Sequence, residues 1–117
     1  MKIVILDTNF IMYSCKNNIR IEEEILRELD STFSLATLDK CIEELKRLSK
    51  EAYNYANKLR LTIIKSNNQE ETADFNLLNI ADSNTIIATN DRQLKENLKK
   101  RNFPVFVIRQ KNHIKLI

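Results

Sequence analysis

Four carboxylates stand where regular structure would carry them to one edge of a single sheet: Asp7, Glu44, Asp74 and Asp91. Four negative charges within several ångströms repel one another, so such a cluster has to be neutralised by protonation or by cations. A ligand set made only of oxygen atoms, without His or Cys, selects hard divalent ions such as Mg²⁺ or Mn²⁺. One or two such ions can activate a water molecule and stabilise the leaving oxygen of a phosphodiester.

Asp7 follows directly on residues 3–6, which are four consecutive apolar residues, three of them β-branched. An apolar run without alternation predicts a strand that is buried on both faces. A carboxylate placed directly after such a strand lies at its carboxyl end. In an open α/β sheet this is the edge where ligands bind.

Glu44 lies on a predicted helix whose N-cap is assigned to Thr37, since threonine is a good capping residue. The apolar stripe of this helix consists of Leu38, Cys41, Ile42, Leu45 and Leu48. At about 100° per residue, Glu44 falls on the edge of the stripe and can reach a half-buried site. Glu43 falls nearly opposite the stripe, so we expect it to face water and to take no part in a site.

Asp74 and Asp91 each stand in the first turn of a predicted helix. Asp74 lies above the apolar residues three, four and seven positions later, and Asp91 above those three and seven positions later. Burying a lone carboxylate is costly. We therefore expect both side chains to point past the core toward the sheet edge.

Each of these acids also has an ordinary structural interpretation when it is taken alone. Asp7, Asp74 and Asp91 stand where acids cap helices or interact favourably with the helix dipole. Glu44 could be a flanking surface acid. A capping residue does not need to continue an apolar stripe, however, and Asp74 and Asp91 both do, which favours a shared site.

The remaining periodicity predicts strands that alternate with helices along the whole chain. Strands are predicted at 32–36, 61–64, 85–89 and 105–109 in addition to the first, with a possible edge strand at 113–117. Helices are predicted after Asp7, at 19–30, after Thr37, and at 51–60, 72–81 and 91–101. This alternation indicates a three-layer α/β sandwich around a central, mostly parallel sheet of about five strands. We expect residues 1–117 to form a single domain.

The composition excludes several classes of protein. The chain has no glycine, so it has no glycine-rich phosphate loop, and P-loop and dinucleotide-binding folds are excluded. The net charge of +3 permits nucleic-acid binding without arguing for it. The two cysteines have no metal-binding spacing and are expected to be reduced and buried. No apolar run is long enough to span a membrane or to serve as a signal peptide, so a cytoplasmic location is expected.

Four segments together resemble the PIN-domain ribonucleases. They are Ile-Leu-Asp-Thr-Asn at 5–9, Glu-Glu-Leu-Lys-Arg-Leu at 43–48, Ala-Asp-x-x-Leu-Leu-x-x-Ala at 73–81 and Ala-Thr-Asn-Asp-x-x-Leu-Lys at 88–95. Their order and spacing are most similar to small, single-domain archaeal-type members, near a branch linked to ribosomal RNA processing. The resemblance implies a Rossmann-like sheet, divalent metal, and endonucleolytic cleavage of single-stranded or looped RNA by a metal-activated water that leaves a 5′-phosphate and a 3′-hydroxyl.

Carried over by position, the resemblance assigns catalysis and metal binding to the same four acids, Asp7, Glu44, Asp74 and Asp91. It implies hydroxyl or amide contacts near one or two Mg²⁺ or Mn²⁺ ions from Thr8, Asn9 and Thr89.

Arg92 and Lys95 are the nearest candidates for contacts with the RNA backbone, although ordinary solvated cations would look the same. Many relatives carry a second acid after the third motif, where this chain has Phe75, so metal affinity at that corner is expected to be lower.

The expected partners are RNA, a second copy of the chain, and either an antitoxin or a ribosome-assembly partner; no membrane is expected. A catalytically weak, PIN-like RNA-binding or assembly module in ribosome biogenesis stays open as the alternative function. A phosphatase of the haloacid dehalogenase type is disfavoured, because that chemistry needs a second acid where this chain has Asn9. A receiver domain is disfavoured because its paired acids and lysine would be placed differently.

Overall fold

The computed structural model describes all 117 residues and contains one six-stranded sheet. The strands are β1 (Lys2–Leu6), β2 (Phe33–Leu38), β3 (Thr62–Ile64), β4 (Thr85–Ala88), β5 (Val105–Arg109) and β6 (His113–Leu116). The helices are α1 (Thr8–Lys16), α2 (Ile21–Leu26), α3 (Asp39–Leu48), α4 (Lys50–Asn57), α5 (Ala73–Ile80) and α6 (Arg92–Lys100). The strand order is β3-β2-β1-β4-β5-β6. Every pairing is parallel except that of β5 with β6.

The sheet is covered on both faces, which explains the unbroken apolar run in β1. Val4 and Leu6 belong to a core cluster that also takes side chains from α1, α2 and α4. Ile5 belongs to a second cluster, built with side chains from α5 and α6. Successive side chains of a strand point to opposite faces, so a strand with helices on both sides needs apolar residues at every position. The predicted three-layer α/β sandwich is confirmed.

The order of the strands reverses at β1. The chain runs outward from β1 through β2 to β3 and then returns to the other side of β1 with β4. Such a reversal opens a crevice at the carboxyl ends of the strands, where open α/β sheets bind ligands. Asp7 follows β1 and Thr89 follows β4, so both lie at this crevice.

The N-cap predicted at Thr37 is wrong. Thr37 is a buried residue of β2, its partner in the β1 register is Leu6, and its hydroxyl donates a hydrogen bond to the Leu6 carbonyl oxygen at 2.7 Å. Pairing with the central strand therefore extends β2 beyond the predicted boundary. The helix starts instead at Asp39, after Leu38, which makes no side-chain capping bond.

The last segment of the chain pairs with β5 as the antiparallel edge strand β6, which confirms the possible edge strand at 113–117 and brings the sheet from the five strands predicted to six. Side chains of α2 and of the turn that follows it hold this edge. Glu28 accepts a hydrogen bond from the Leu116 amide at 2.9 Å, and Glu24 accepts one from the Ile114 amide at 3.4 Å. Carboxylates that cover edge amides in this way also discourage pairing with other chains. No helix of the structure has the length and apolar character needed to cross a membrane.

Replacing Thr37 by Val should lower the free energy of unfolding by about 1 kcal/mol, because it removes the buried hydroxyl that donates to Leu6. The matched control is Thr62→Val on the exposed edge strand β3, which should change stability by less than about 0.5 kcal/mol. Urea unfolding followed by circular dichroism measures both values. Equal effects of the two substitutions would contradict this role for the Thr37 hydroxyl.

Candidate active site

An open pocket of about 440 Å³ lies at the carboxyl edge of the sheet, where β1 and β4 end. All four acids singled out in the sequence line it: Asp7, Glu44, Asp74 and Asp91. They come from the end of β1, from α3, from the first turn of α5, and from the N-cap of α6. The fold thus brings together carboxylates that lie far apart in the chain.

Asp7 is the most buried of the four, with only 3% of its surface exposed. It is the N-cap of α1, and its Oδ1 accepts a hydrogen bond from the Thr8 amide at 2.8 Å. Its Oδ2 accepts a hydrogen bond from the Thr89 hydroxyl at 2.7 Å. Both oxygens are therefore held in place, and each keeps lone-pair capacity for a further contact.

Thr89 connects Asp7 to Asp91. While its hydroxyl donates to Asp7, the same oxygen accepts a hydrogen bond from the Asp91 amide at 3.0 Å. Asp91 caps α6 by accepting a hydrogen bond from the Leu94 amide through Oδ1 at 2.8 Å. Asp91 is therefore a helix N-cap through Oδ1, and it also lines the pocket. Thr89 is fully buried, so it acts in this structure by orienting the two acids.

The pKa values of three of these carboxyl groups are shifted by burial and by the charges of neighbouring acids. Burial, and then the charges of Asp74 and Asp91, raise the pKa of Asp7 to about 6, although the hydrogen bonds from Thr89 and Thr8 act in the opposite direction. Partial burial and the charge of Asp91 raise the pKa of Asp74. The pKa of Glu44 is raised by burial, with Arg47 lowering it and Asp74 raising it further. Repulsion among acids at one site is a feature of functional clusters.

The donor set suits a hard divalent cation. It consists of carboxylate oxygens and the Thr8 hydroxyl, whose buried oxygen has no hydrogen-bond partner in the protein. No three acidic, histidine or cysteine side chains stand close enough together to share one ion directly. Mg²⁺ commonly keeps several of its waters and contacts only one or two carboxylates, so the residues present fit such an ion.

Four further charged side chains line the pocket beyond those selected from the sequence: Lys40, Glu43, Arg47 and Glu71. Glu43 is exposed, as expected, but the expectation that it stays outside the site is wrong, because it lines the pocket. Helical spacing could have found the two cations, since Lys40 and Arg47 stand four positions before and three after Glu44.

The residues predicted to contact substrate are distributed differently. Thr8 and Asn9 line the pocket, whereas Arg92 and Lys95 lie on α6 outside its lining. Arg92 forms an exposed ion pair with Glu96 at 3.2 Å. Lys95 borders a separate groove on α6. RNA contacts by Arg92 and Lys95 stay predictions. The side chain of Phe75, which follows Asp74, is 43% exposed and does not line the pocket.

The loop at 66–72 forms one wall of the pocket and is held by a buried amide. Asn76 of α5 is 2% exposed, and its side chain accepts a hydrogen bond from the Asn68 amide at 2.9 Å. The same side chain donates to the carbonyl oxygens of Asn68 and Thr72, both at 2.9 Å. These bonds fix the loop that contributes Glu71 and Thr72 to the pocket.

Asp39 of α3 holds the other end of the same loop. Its Oδ1 accepts hydrogen bonds from the Ser66 amide at 3.0 Å and from the Ser66 hydroxyl, and its Oδ2 accepts one from Gln69 at 3.2 Å. Burial alone would raise the pKa of Asp39, but these hydrogen bonds hold it below its ordinary value. The loop therefore bridges α3 and α5, which carry Glu44 and Asp74.

Both cysteines are free thiols, as expected. Cys41 is buried behind the pocket, and Cys15 is half-buried rather than fully buried. Burial, followed by the charges of Asp7 and Glu44, raises the pKa of the Cys41 thiol to about 11. A protonated, buried thiol is unreactive, so Cys41 serves as a small packing residue.

A mostly parallel α/β sheet with acids at the carboxyl edge of its central strands is an architecture that known protein families share. The family described as "PIN like domain" matches residues 4–111, and the chain belongs to this family. The predicted family is confirmed.

One similar sequence supports this assignment to the family, and one similar solved structure supports the fold. The chain is 37% identical over 124 residues to Ribonuclease VapC4 of Methanocaldococcus jannaschii, across 97% of this chain and 95% of the relative. It also resembles the solved structure of the PIN domain endonuclease Utp24, with a TM-score of 0.83 at 22% identity, over 97% of this chain and 90% of the other. The second likeness concerns the fold alone.

Asp7→Asn should stabilise the protein at pH 7.5 in the presence of EDTA. Because folding raises the pKa of Asp7 from 3.8 to about 6, this carboxyl costs stability as the pH rises through that range, and asparagine does not ionise. The full penalty is about 3 kcal/mol at neutral pH, and we expect a gain of about 1–3 kcal/mol, since the new amide alters the hydrogen bonds. Unfolding at pH 7.5 and at pH 4 measures it. The ionisation penalty that asparagine removes falls to about 0.5 kcal/mol at pH 4, so the gain should be much smaller there, and an equal gain at both pH values would contradict the assignment.

Asn76→Ala should destabilise the protein by about 2–3 kcal/mol, because it leaves loop amide and carbonyl groups without their partner. Asn79→Ala is the matched control on the same helix, since Asn79 is exposed and bonds only to the Phe75 carbonyl. We expect less than about 0.5 kcal/mol for the control. Hydrogen exchange at the Asn68 amide should also accelerate in Asn76→Ala. An unchanged exchange rate at the Asn68 amide would show that the Asn76 side chain does not fix the loop.

Proposed function

We propose that this protein is an endoribonuclease that hydrolyses RNA phosphodiester bonds with Mg²⁺ or Mn²⁺. The observation that carries the proposal is the meeting of Asp7, Glu44, Asp74 and Asp91 around one open pocket at the sheet edge. RNA is the proposed substrate because a relative that is 37% identical over nearly the whole chain is named a ribonuclease.

A divalent ion bound here would act as a Lewis acid on the phosphate and lower the pKa of a bound water. The chain's own contribution is to hold the carboxylates in position. Thr89 orients Asp7 and Asp91 through one continuous chain of hydrogen bonds. Asp91 uses Oδ1 to cap α6, and its Oδ2 makes no hydrogen bond within the protein. Asp7 and Asp91 are therefore the proposed primary ligands.

Glu44 and Asp74 supply further negative charge to the same pocket. The pKa values of both carboxyl groups are raised by burial, and each also responds to the charge of a neighbouring acid. A bound cation would relieve this repulsion and keep both groups ionised. We therefore assign them to outer contacts with the ion, made through its bound water molecules, as part of the same catalytic set.

The proposal is tested by cleavage of a fluorescently labelled single-stranded RNA in the presence of Mn²⁺. We expect Asp7→Asn and Asp91→Asn each to lower the rate by about 100-fold, because each removes a charged ligand of the ion. Asp30→Asn is the matched control, since Asp30 is exposed and lies outside the pocket. It should cleave at the wild-type rate.

Equal cleavage by wild type and Asp7→Asn would exclude the enzymatic proposal. RNA binding without cleavage by the wild type would favour the alternative of a catalytically weak RNA-binding or assembly module. The roles as a toxin paired with an antitoxin and in ribosomal RNA processing stay predictions, as do the homodimer and the cytoplasmic location. Growth arrest on expression of the wild type, but not of Asp7→Asn, would support the toxin role.

A further inference from the structure

The pocket is strongly acidic, although its proposed substrate is a polyanion. Six carboxylic side chains line it: Asp7, Glu43, Glu44, Glu71, Asp74 and Asp91. A phosphate that approaches this surface is repelled unless positive charge meets it. A bound metal ion would supply some of this charge, and the flanking phosphates of an RNA strand need other partners.

The protein places two cations in the lining, Lys40 and Arg47, and both lie on α3. They are two helical turns apart, so they share one face of the helix with Glu43 and Glu44 between them. The positive charge of the pocket is therefore confined to the wall formed by α3. The walls formed by α1, α5 and α6 contribute none.

The two cations differ in what they bind. The ammonium group of Lys40 donates a hydrogen bond to the Gln69 carbonyl oxygen and so helps to hold the loop at 66–72. Arg47 is exposed and takes part in none of the ion pairs of the structure. Arg47 lines the same pocket as the acids without forming an ion pair with any of them, and its charge lowers the pKa of Glu44.

The neighbouring residue Lys46 shows that this orientation is specific to Arg47. The Lys46 ammonium lies 5.3 Å from the centre of the Tyr53 ring of α4 and outside the pocket lining. Adjacent helix residues differ by about 100° in direction. Two cations that are neighbours in the sequence thus face different surroundings, and only Arg47 faces the acids.

We propose that Arg47 binds a backbone phosphate of the RNA next to the phosphate that is cleaved. This inference rests on the proposed ribonuclease function. A guanidinium stays charged throughout the working pH range and can donate two parallel hydrogen bonds to phosphate oxygens. The RNA strand therefore enters the pocket along α3, with one phosphate at Arg47 and the next at the carboxylates.

Steady-state cleavage of a fluorescently labelled single-stranded RNA with Mn²⁺ tests the proposal. Arg47→Ala should raise KM by about 10-fold and leave kcat within about 2-fold, because the contact positions substrate without touching the reacting atoms. Arg47→Lys should be intermediate, since it keeps the charge and loses the paired hydrogen bonds. Lys46→Ala, the matched control with the same charge change on the same helix, should stay within about 2-fold of wild type in KM.

The salt dependence of binding supplies a second measurement. RNA affinity is measured by fluorescence anisotropy in the Asp7→Asn background, which removes cleavage. Adding Arg47→Ala should reduce the slope of log Kd against log salt by about 0.7, the value for one phosphate contact with a single strand. Adding Lys46→Ala should leave the slope unchanged. Circular dichroism and thermal unfolding establish that each variant is folded, and Arg47→Lys provides the comparison if Arg47→Ala is not.

The outcomes separate this inference from the function on which it rests. If the wild type cleaves RNA and Arg47→Ala changes KM and the slope no more than Lys46→Ala does, the phosphate contact is wrong and the ribonuclease proposal stands. If Arg47→Ala changes only the Mn²⁺ concentration needed for half-maximal rate, Arg47 merely balances the charge of Glu44, which also overturns the inference. If the wild type cleaves no RNA, the proposed function fails, and the salt slopes still decide whether Arg47 contacts phosphate.

Discussion

The hydrogen bond from the Thr89 hydroxyl to the buried carboxylate of Asp7 joins the ends of the two central strands. It spans 82 positions of the chain and lies where the order of the strands reverses. Without this bond and the one from the Thr8 amide, Asp7 would be a buried acid with no partner, which is costly. These two hydrogen bonds fix the orientation of the Asp7 oxygens. The Thr89 hydroxyl also accepts a hydrogen bond from the Asp91 amide.

The acid site lowers the stability of the folded protein at neutral pH. Burial and neighbouring charge raise the pKa of Asp7 to about 6, so ionising it at neutral pH costs stability. The surrounding framework compensates by fixing the pocket walls from outside. Asn76 and Asp39 hold the loop at 66–72 from two different helices. A site of like charges needs such support, because its own members push one another apart.

Charge is distributed unevenly over the molecule. The whole chain carries a net charge of +3, yet the pocket has six carboxylic side chains and two cations. Under the proposed function, the excess of positive charge elsewhere would attract RNA over a distance, and the acidic pocket would accept it only with cations in place. The α3 wall, with Lys40 and Arg47, carries the positive charge inside the otherwise acidic pocket. The net charge of the whole chain therefore does not describe the charge of the pocket.

The sequence by itself determined the alternation of strands and helices, the central place of the apolar run before Asp7, and the family. It also identified four acids that prove to line one pocket, because apolar periodicity records which side of a helix faces the core. The sequence did not give the end of strand β2, because that boundary depends on pairing with β1. Thr37 looks like a helix cap until β2 is set in register with β1.

Only the tertiary structure decided which side chains share the pocket with those acids. Glu43 borders the pocket despite facing away from the core, and Arg47 faces the acids while Lys46 does not. Helical spacing gives the direction of a side chain relative to its own helix. It does not give the position of a neighbouring loop or strand end, which follows from contacts between residues far apart in the chain.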